Sequence, residues 1–290
     1  MKKNLNKNYF EVLRPGINST FQDNGRNNFY HIGIPFSGAM DNRNFLLANT
    51  ISNNEINNPV LEFAYQGPKL KYIGENISIN VTGDVNFKII RKNKNLEFSC
   101  YENIILENND CLDILSTNRS VYGYLSIGGT FEVDYYLNSC STNTKAKIGA
   151  NSGEKLEKGQ IIHLKNIKKI LPKNKIEYLN SKIENIRIIK GPHFDYFSKD
   201  AIDSFLSDEF NVTKLSDRMG IRLKGPKISN IKNTNIKSEG LVKGVIQITA
   251  DGDPIIMLSD HGTIGGYPKI GVVISADYDK LVQIPPGSKI

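Results

Sequence analysis

The segment Asp260-His261-Gly262-Thr263-Ile264-Gly265-Gly266-Tyr267-Pro268-Lys269 sets glycines, an aromatic ring, a proline and polar side chains between two apolar stretches. Backbone in such a loop can approach a ligand closely, because nothing but hydrogen covers the glycine Cα atoms. Paired Gly265 and Gly266 leave N–H groups uncovered and permit φ > 0, and Pro268 stiffens the exit. Thr263, Tyr267 and Lys269 are then placed to converge on one small polar molecule. A glycine cluster between strands is equally an ordinary turn, so the loop gains weight only from residues elsewhere.

Three other runs have chemical capacity. Between Arg14 and Arg26 the chain supplies Gln22, Asp23 and Arg26, with His31 five residues on, so an amide, a carboxylate, a fixed cation and an imidazole lie within ten positions. Such a set can move protons or hold a polar ligand, although an Asp23–Arg26 pair tying its own turn explains it as well. In Ser216-Asp217-Arg218-Met219-Gly220-Ile221-Arg222-Leu223, strand alternation puts Arg218 and Arg222 on one face, where two guanidinium groups could clamp a carboxylate. The competing explanation is a pair of solvated arginines. In Gln247-Ile248-Thr249-Ala250-Asp251-Gly252, Asp-Gly reads as a turn, and Gln247 is an amide among apolar neighbours that needs partners if buried.

Several chemistries lack their signatures. The chain has no G-x-x-x-x-G-K-[ST], no strand-linked G-x-G-x-x-G and no G-x-S-x-G. It therefore offers no recognisable ATP site of its own and no serine-hydrolase elbow. Cys100, Cys111 and Cys140 show no C-x-x-C spacing and His31, His163, His193 and His261 are scattered, so no metal site is expected. The formal charge of +7 comes from a basic start and from Lys165, Lys168, Lys169, Lys173 and Lys175, which read as a tail and a linker. No nucleic-acid motif accompanies them. No apolar run is long enough to span a bilayer, and the start has no apolar signal core; a cytoplasmic protein is expected.

The elements that must position these residues are mostly short β-branched segments punctuated by Gly, Asn and Asp, which predicts a mainly β protein. The clearest are 77–81, 87–90, 121–127, 160–163, 186–189, 220–223, 245–248, 255–258, 271–274 and 281–284. They lie too close together for βαβ crossovers. Helical spacing appears at 41–51 behind Asp41 and at 198–206 behind Ser198. The lysine-rich stretch with Pro172 divides the chain into 1–165, a linker 166–183, and 184–290. Gln66-Gly67-Pro68-Lys69-Leu70 returns as Lys224-Gly225-Pro226-Lys227-Ile228, a weak echo between the halves.

In order along the chain, these segments resemble the biotin-dependent carboxyltransferase-like, or allophanate hydrolase subunit 2, family. Its carriers are the Arg14–Arg26 run, Gly33-Ile34-Pro35, Ser37-Gly38-Ala39-Met40-Asp41, Ala48-Asn49, Leu61-Glu62, Gly67-Pro68, Val81-Thr82-Gly83-Asp84, Tyr124-Leu125, Gly128-Gly129, Ser141-Thr142, Ser216–Gly220, Ser238-Glu239-Gly240, Gln247, Asp251-Gly252 and Thr263–Lys269. The resemblance implies two cyclophilin-like β-barrel domains. It implies the C component of a 5-oxoprolinase, working with A-type and B-type partner proteins in ATP-dependent opening of 5-oxoproline to glutamate, ATP being bound largely by a partner. Two alternatives stay open: a regulatory protein that antagonises a kinase inhibitor by binding a B-type partner, and transfer of a carboxyl group from an external carboxybiotin to urea or a related amide. No Met-Lys-Met biotinylation site is present, so no covalent cofactor is expected. Asn138-Ser139-Cys140-Ser141-Thr142 and Gly153-Glu154-Lys155-Leu156 lack arginines usual in the family.

Both reactions create negative charge on an amide oxygen, and so call for fixed donors. The expected roles are charge stabilisation by Lys269 with the Gly265 and Gly266 N–H groups, substrate orientation by Arg218 or Arg222, and proton handling by Asp23 or Asp260. Tyr267 would form a wall, and Gln22, Arg26, His31, Gln247 and Thr263 would complete the substrate contacts.

Overall fold

The computed structural model describes residues 8–170, 174–177, 183, 185–232 and 235–290. The basic start, Pro172 and Lys173, and 178–182 of the expected linker lie outside the described residues. The chain forms two compact units, and their boundaries differ from a single cut: one unit holds Met1–Gly25 with Asn42–Asn180, the other Arg26–Asp41 with Ser181–Ile290.

The first unit is built from β1 (Tyr9–Arg14), β2 (Thr20–Gln22), α1 (Asn42–Ile51), β3 (Val60–Ala64), β4 (Lys69–Ile73), β5 (Ile77–Thr82), β6 (Val85–Arg91), β7 (Lys94–Glu97), β8 (Ile104–Leu106), β9 (Cys111–Thr117), β10 (Tyr122–Ile127), β11 (Thr130–Phe131) and β12 (Ile161–Lys165). Antiparallel pairing gives a seven-stranded sheet, β11-β12-β1-β4-β9-β6-β7, and a five-stranded sheet, β2-β3-β10-β5-β8. Sequence period sets which face is covered: in β6, Val85, Phe87 and Ile89 are buried while Asn86 is exposed. One hydrophobic core takes Val12, Leu70 and Leu112 from the first sheet and Leu61, Ile79 and Leu125 from the second. Strand β5 is buried along its whole length. Its Asn80 donates to Ala48 O at 3.0 Å and Ser52 Oγ at 2.7 Å, and Thr82 donates to Asn44 O at 2.8 Å, which seats α1 on that sheet.

The second unit contains β13 (Ile188–Lys190), α2 (Lys199–Ser207), β14 (Asn211–Val212), β15 (Gly220–Lys224), β16 (Glu239–Gly240), β17 (Val245–Ile248), β18 (Pro254–Met257), β19 (Ile264–Gly265), β20 (Lys269–Val273) and α3 (Ser275–Leu281). A six-stranded sheet runs β13-β20-β17-β18-β15-β14, and β16 pairs with β19 as a separate ribbon. Helix α2 begins where expected, Ser198 Oγ accepting the Ala201 N–H.

The mainly β class holds. The strand orders among the described residues run open from one end to the other, where the resemblance implies barrels. Residues 281–284, expected as a strand, are the end of α3 and the turn after it. Part of the expected linker is tied to the first unit: Glu102 bridges to Lys175, with Asn103 N–H on Asn174 O and Ile176 N–H on Tyr101 O. Among the described residues no helix is long and apolar enough to cross a membrane.

Candidate functional site

The glycine loop leaves the β18 side of the six-stranded sheet and returns as β20, and its centre forms the β16–β19 ribbon, with Glu239 opposite Gly265 and Gly240 opposite Ile264. Gly265 and Gly266 do not adopt positive φ. The requirement at Gly265 is steric instead: a Cβ there would lie 2.8 Å from both Gln247 Nε2 and Leu241 Cδ1. Gln247, buried in β17, donates to Tyr267 O at 3.1 Å, so the amide singled out by its apolar neighbours holds the loop. Leu241 N–H bonds Thr263 O, Ile236 N–H bonds Gly266 O, and Ile248 N–H bonds Pro268 O. Thr263 and Tyr267 are half-buried.

Lys269 is the most unusual residue of the loop. Its side chain is 4% exposed, and its ammonium meets Glu239 Oε2 at 2.7 Å. The Glu239 side chain is 49% exposed, so one partner is fixed inside while the other faces out. His193 completes the group. Its Nδ1 lies 3.2 Å from the Lys269 N–H and its own N–H donates to Lys269 O. Accepting from a backbone N–H requires an unprotonated Nδ1, so the neutral ring carries its proton on Nε2, which lies 3.7 Å from Glu239 Oε2. The Lys269 hydrogen bond and charge hold the Glu239 carboxyl below its ordinary range. Burial pushes the His193 imidazole down, with Lys269 acting in the same direction.

A second cluster stands at the start of the loop. Arg218 Nε and Nη2 meet Asp260 Oδ2 and Oδ1 at 2.7 and 3.2 Å, and Nη2 also donates to Gly38 O at 2.7 Å. His261 is buried, and its Nδ1 lies 2.6 Å from Gly262 O. A carbonyl only accepts, so Nδ1 donates and the neutral ring offers Nε2 to the Tyr30 hydroxyl, 3.2 Å away. Burial pushes the His261 imidazole down and the Tyr30 hydroxyl up. The 26–41 segment is therefore part of this cluster, with Ser37 N–H on Ser259 O adding a further tie.

The expected site residues divide accordingly. Lys269, Asp260, Arg218, Gln247, Thr263, Gly265, Gly266 and Tyr267 share the second unit with Arg26 and His31. Arg26 is buried and donates its N–H to Phe36 O, while His31 is exposed in a short turn at Tyr30–Ile32. The arginine clamp is corrected: β15 starts at Gly220, so Arg218 lies in the preceding turn against Asp260, whereas Arg222 is exposed on the strand. Asp23 is also corrected. It belongs to the first unit, fully buried, where Oδ1 accepts from Ser139 Oγ, Ser141 Oγ and Gly25 N–H and Oδ2 from Cys140 N–H. Its lone pairs tie a loop and leave nothing turned to solvent. Gln22, beside it, donates to Thr20 Oγ1 and Thr142 O. Both carboxylate oxygens of Asp260 accept from Arg218.

Sequence reasoning missed Glu239, His193, His261 and Tyr30. Glu239 lies within Ser238-Glu239-Gly240, one of the carriers of the family resemblance, but its meeting with Lys269 depends on the β16–β19 register. His193 reaches Lys269 only through the pairing of β13 with β20. A separate cavity of about 370 Å³ in the second unit is lined by Ile188, Phe205, Phe210, Leu223 and Ile256 among others, and the glycine loop takes no part in its lining.

The mainly β scaffold has counterparts among solved structures. The solved Kluyveromyces lactis urea amidolyase matches with a TM-score of 0.87 at 31% identity, over 97% of this chain and 18% of that one. The chain belongs to the family described as carboxyltransferase domain, subdomain A and B, which matches residues 32–290. Among curated relatives, the C subunit of 5-oxoprolinase from Escherichia coli (strain K12) is 28% identical over 290 residues, covering 97% of this chain and 89% of the relative. Urea amidolyase of Lachancea kluyveri is 30% identical over 97% of this chain, which spans only 16% of that protein.

Proposed function

We propose that this chain is the C component of an ATP-dependent 5-oxoprolinase that opens the lactam of 5-oxo-L-proline to L-glutamate. The observation that carries this reading is end-to-end correspondence with a free-standing relative, 97% of this chain against 89% of the E. coli protein. In this reading the chain works in the cytoplasm with A-type and B-type partner proteins, and ATP is bound by a partner. A second reading, carboxyl transfer from an external carboxybiotin to urea or a related amide, is favoured by similarity to the urea amidolyases at comparable identity.

In this reading the second unit carries the groups the reaction needs. Negative charge develops on an amide oxygen, and a buried ammonium at Lys269, at the exit of the glycine loop, is suited to receive it. Few competing water molecules reach a side chain so enclosed, so its field is strong. Arg218, anchored by Asp260, orients the substrate in this scheme.

The test is a purified three-protein assembly assayed for ATP hydrolysis that depends on 5-oxoproline. Lys269→Ala is expected to lower turnover by roughly 10²–10³-fold, the usual loss for one oxyanion donor, with the melting transition of the isolated chain retained. Full turnover in the variant would remove Lys269 from the site. A wild-type assembly that ignores 5-oxoproline but carboxylates urea in the presence of carboxybiotin would establish the second reading instead.

A further inference from the structure

We propose that Glu239 is the residue that takes the amide proton of the substrate, with His193 as the residue that positions it. The proposal deepens the functional reading above and rests on it, because the proton concerned is that of the lactam or amide.

The geometry singles out one carboxylate. Asp23 has both oxygens engaged in the first unit, and Asp260 is held on two sides by Arg218. Among the described residues, Glu239 is the carboxylate at the glycine loop that combines a half-exposed side chain with direct contact to the buried ammonium of Lys269. It stands opposite Gly265 in the ribbon, so the proton acceptor and the glycine are cross-strand neighbours.

The arrangement also couples two events. At rest, the Lys269 ammonium is satisfied by Glu239, and its hydrogen bond and charge keep the carboxyl anionic. A substrate whose carbonyl oxygen takes over that ammonium removes the influence that makes Glu239 a weak base, and its proton affinity rises at the moment it is needed. The amide N–H bond then breaks and an O–H bond forms on Glu239. The electron pair stays on the amidate, whose oxygen is held by Lys269. The transferred proton leaves to water through the exposed half of Glu239. Total charge inside the cluster does not change during the exchange. In carboxyl transfer the same amidate nitrogen would be the nucleophile.

His193 fixes the acceptor. The Lys269 N–H occupies Nδ1, so Nε2–H stands 3.7 Å from Glu239 Oε2, beyond hydrogen-bond distance at rest, and can close on the carboxylate when Lys269 lets go. The groups that face this imidazole are Glu239, Lys269, Asp195 and the edge-on ring of Tyr196. Burial outweighs the two carboxylates, so the ring stays neutral and remains a donor.

The experiment uses the reconstituted assembly. Glu239→Gln is expected to lower kcat by roughly 10²–10⁴-fold, the range for a lost proton acceptor, with KM changed little and the melting transition of the isolated chain retained. Glu239→Asp, one methylene shorter, keeps a carboxylate and is expected to retain part of the activity that Glu239→Gln loses. His193→Ala should move the acid limb of the kcat profile to higher pH, because the N–H that would close on the released carboxylate has been removed, and His193→Gln should restore it. A merely structural histidine would leave that limb in place. Wild-type turnover in Glu239→Gln, with the wild-type assembly active on 5-oxoproline, overturns the role of Glu239 and leaves the function standing. If wild type carboxylates urea instead, the same variants are compared in that assay, where the amide proton must also be lost. A wild-type assembly inert in both reactions overturns the function and the role together.

Discussion

Four donors converge on the carboxylate of Asp23: two serine hydroxyls at 2.6 Å and the N–H groups of Cys140 and Gly25 at 2.8 Å. Ser141 closes the arrangement by also accepting the Asp23 N–H at 3.1 Å. An amide in the same place would keep one acceptor and turn an NH₂ toward groups that need an acceptor. Asp23→Asn is therefore expected to cost on the order of 3 kcal/mol in a denaturant melt of the isolated chain, and to leave turnover per folded molecule unaltered in the assembly. A large turnover loss without destabilisation would return Asp23 to the chemistry. The sequence could not make this distinction, since its partners lie more than a hundred residues away at Ser139 to Ser141. The same loop explains one departure from the family. Cys140 belongs to the first unit's hydrophobic core, with no exposure to solvent, where a guanidinium would need a partner of its own.

Elements are legible in the sequence where their period is complete. The helix behind Ser198 and the strand expected at 87–90, observed as Val85–Arg91, follow directly from a capping oxygen and apolar spacing. Residues 281–284 read as a strand in sequence because four residues carry too little period to separate one from a helix end. Here α3 buries Tyr278 and Leu281 among polar neighbours. The glycine loop is legible as a loop, but the reason for its glycines is not. Neither Gly265 nor Gly266 needs a left-handed backbone; Gly265 needs room, because Gln247 and Leu241 pack against its Cα. Gly265→Ala must push the Gln247 amide, which is pinned to Tyr267 O, or the Leu241 side chain. An overpacking cost of about 1–3 kcal/mol follows, and the displaced ribbon should weaken the Glu239–Lys269 contact. A melt and a turnover assay on that variant check both; an unchanged melt with unchanged turnover would show that the loop adjusts freely.

At the scale of the molecule, the division of the chain is the feature that composition could not reveal. The lysine-rich stretch suggests one cut, yet Arg26–Asp41 belongs to the unit completed by Ser181–Ile290. The physical reason is a set of specific ties rather than a change in composition. Gly38 O receives Arg218, Ser259 O receives the Ser37 N–H, Ala39 O receives Ser259 Oγ, and Asp41 receives Gln283 at 2.8 Å. Tyr30 occupies the open nitrogen of His261. These contacts span 180 to 242 residues of chain, so the second unit cannot finish folding from its own C-terminal stretch. A fragment of 181–290 is expected to leave Arg218 without the Gly38 carbonyl, Ser259 without the Ser37 and Ala39 backbone, and His261 without its phenol. It should lack the cooperative melt expected of this unit in the full chain. Joining 26–41 to the fragment through a flexible linker should restore that transition, since the linker cost grows only slowly with length. A cooperative melt of 181–290 alone, with the midpoint it has in the full chain, would show that the ties add nothing to the fold. The environment of the Tyr30 ring in the joined fragment would then report whether the segment docks at all.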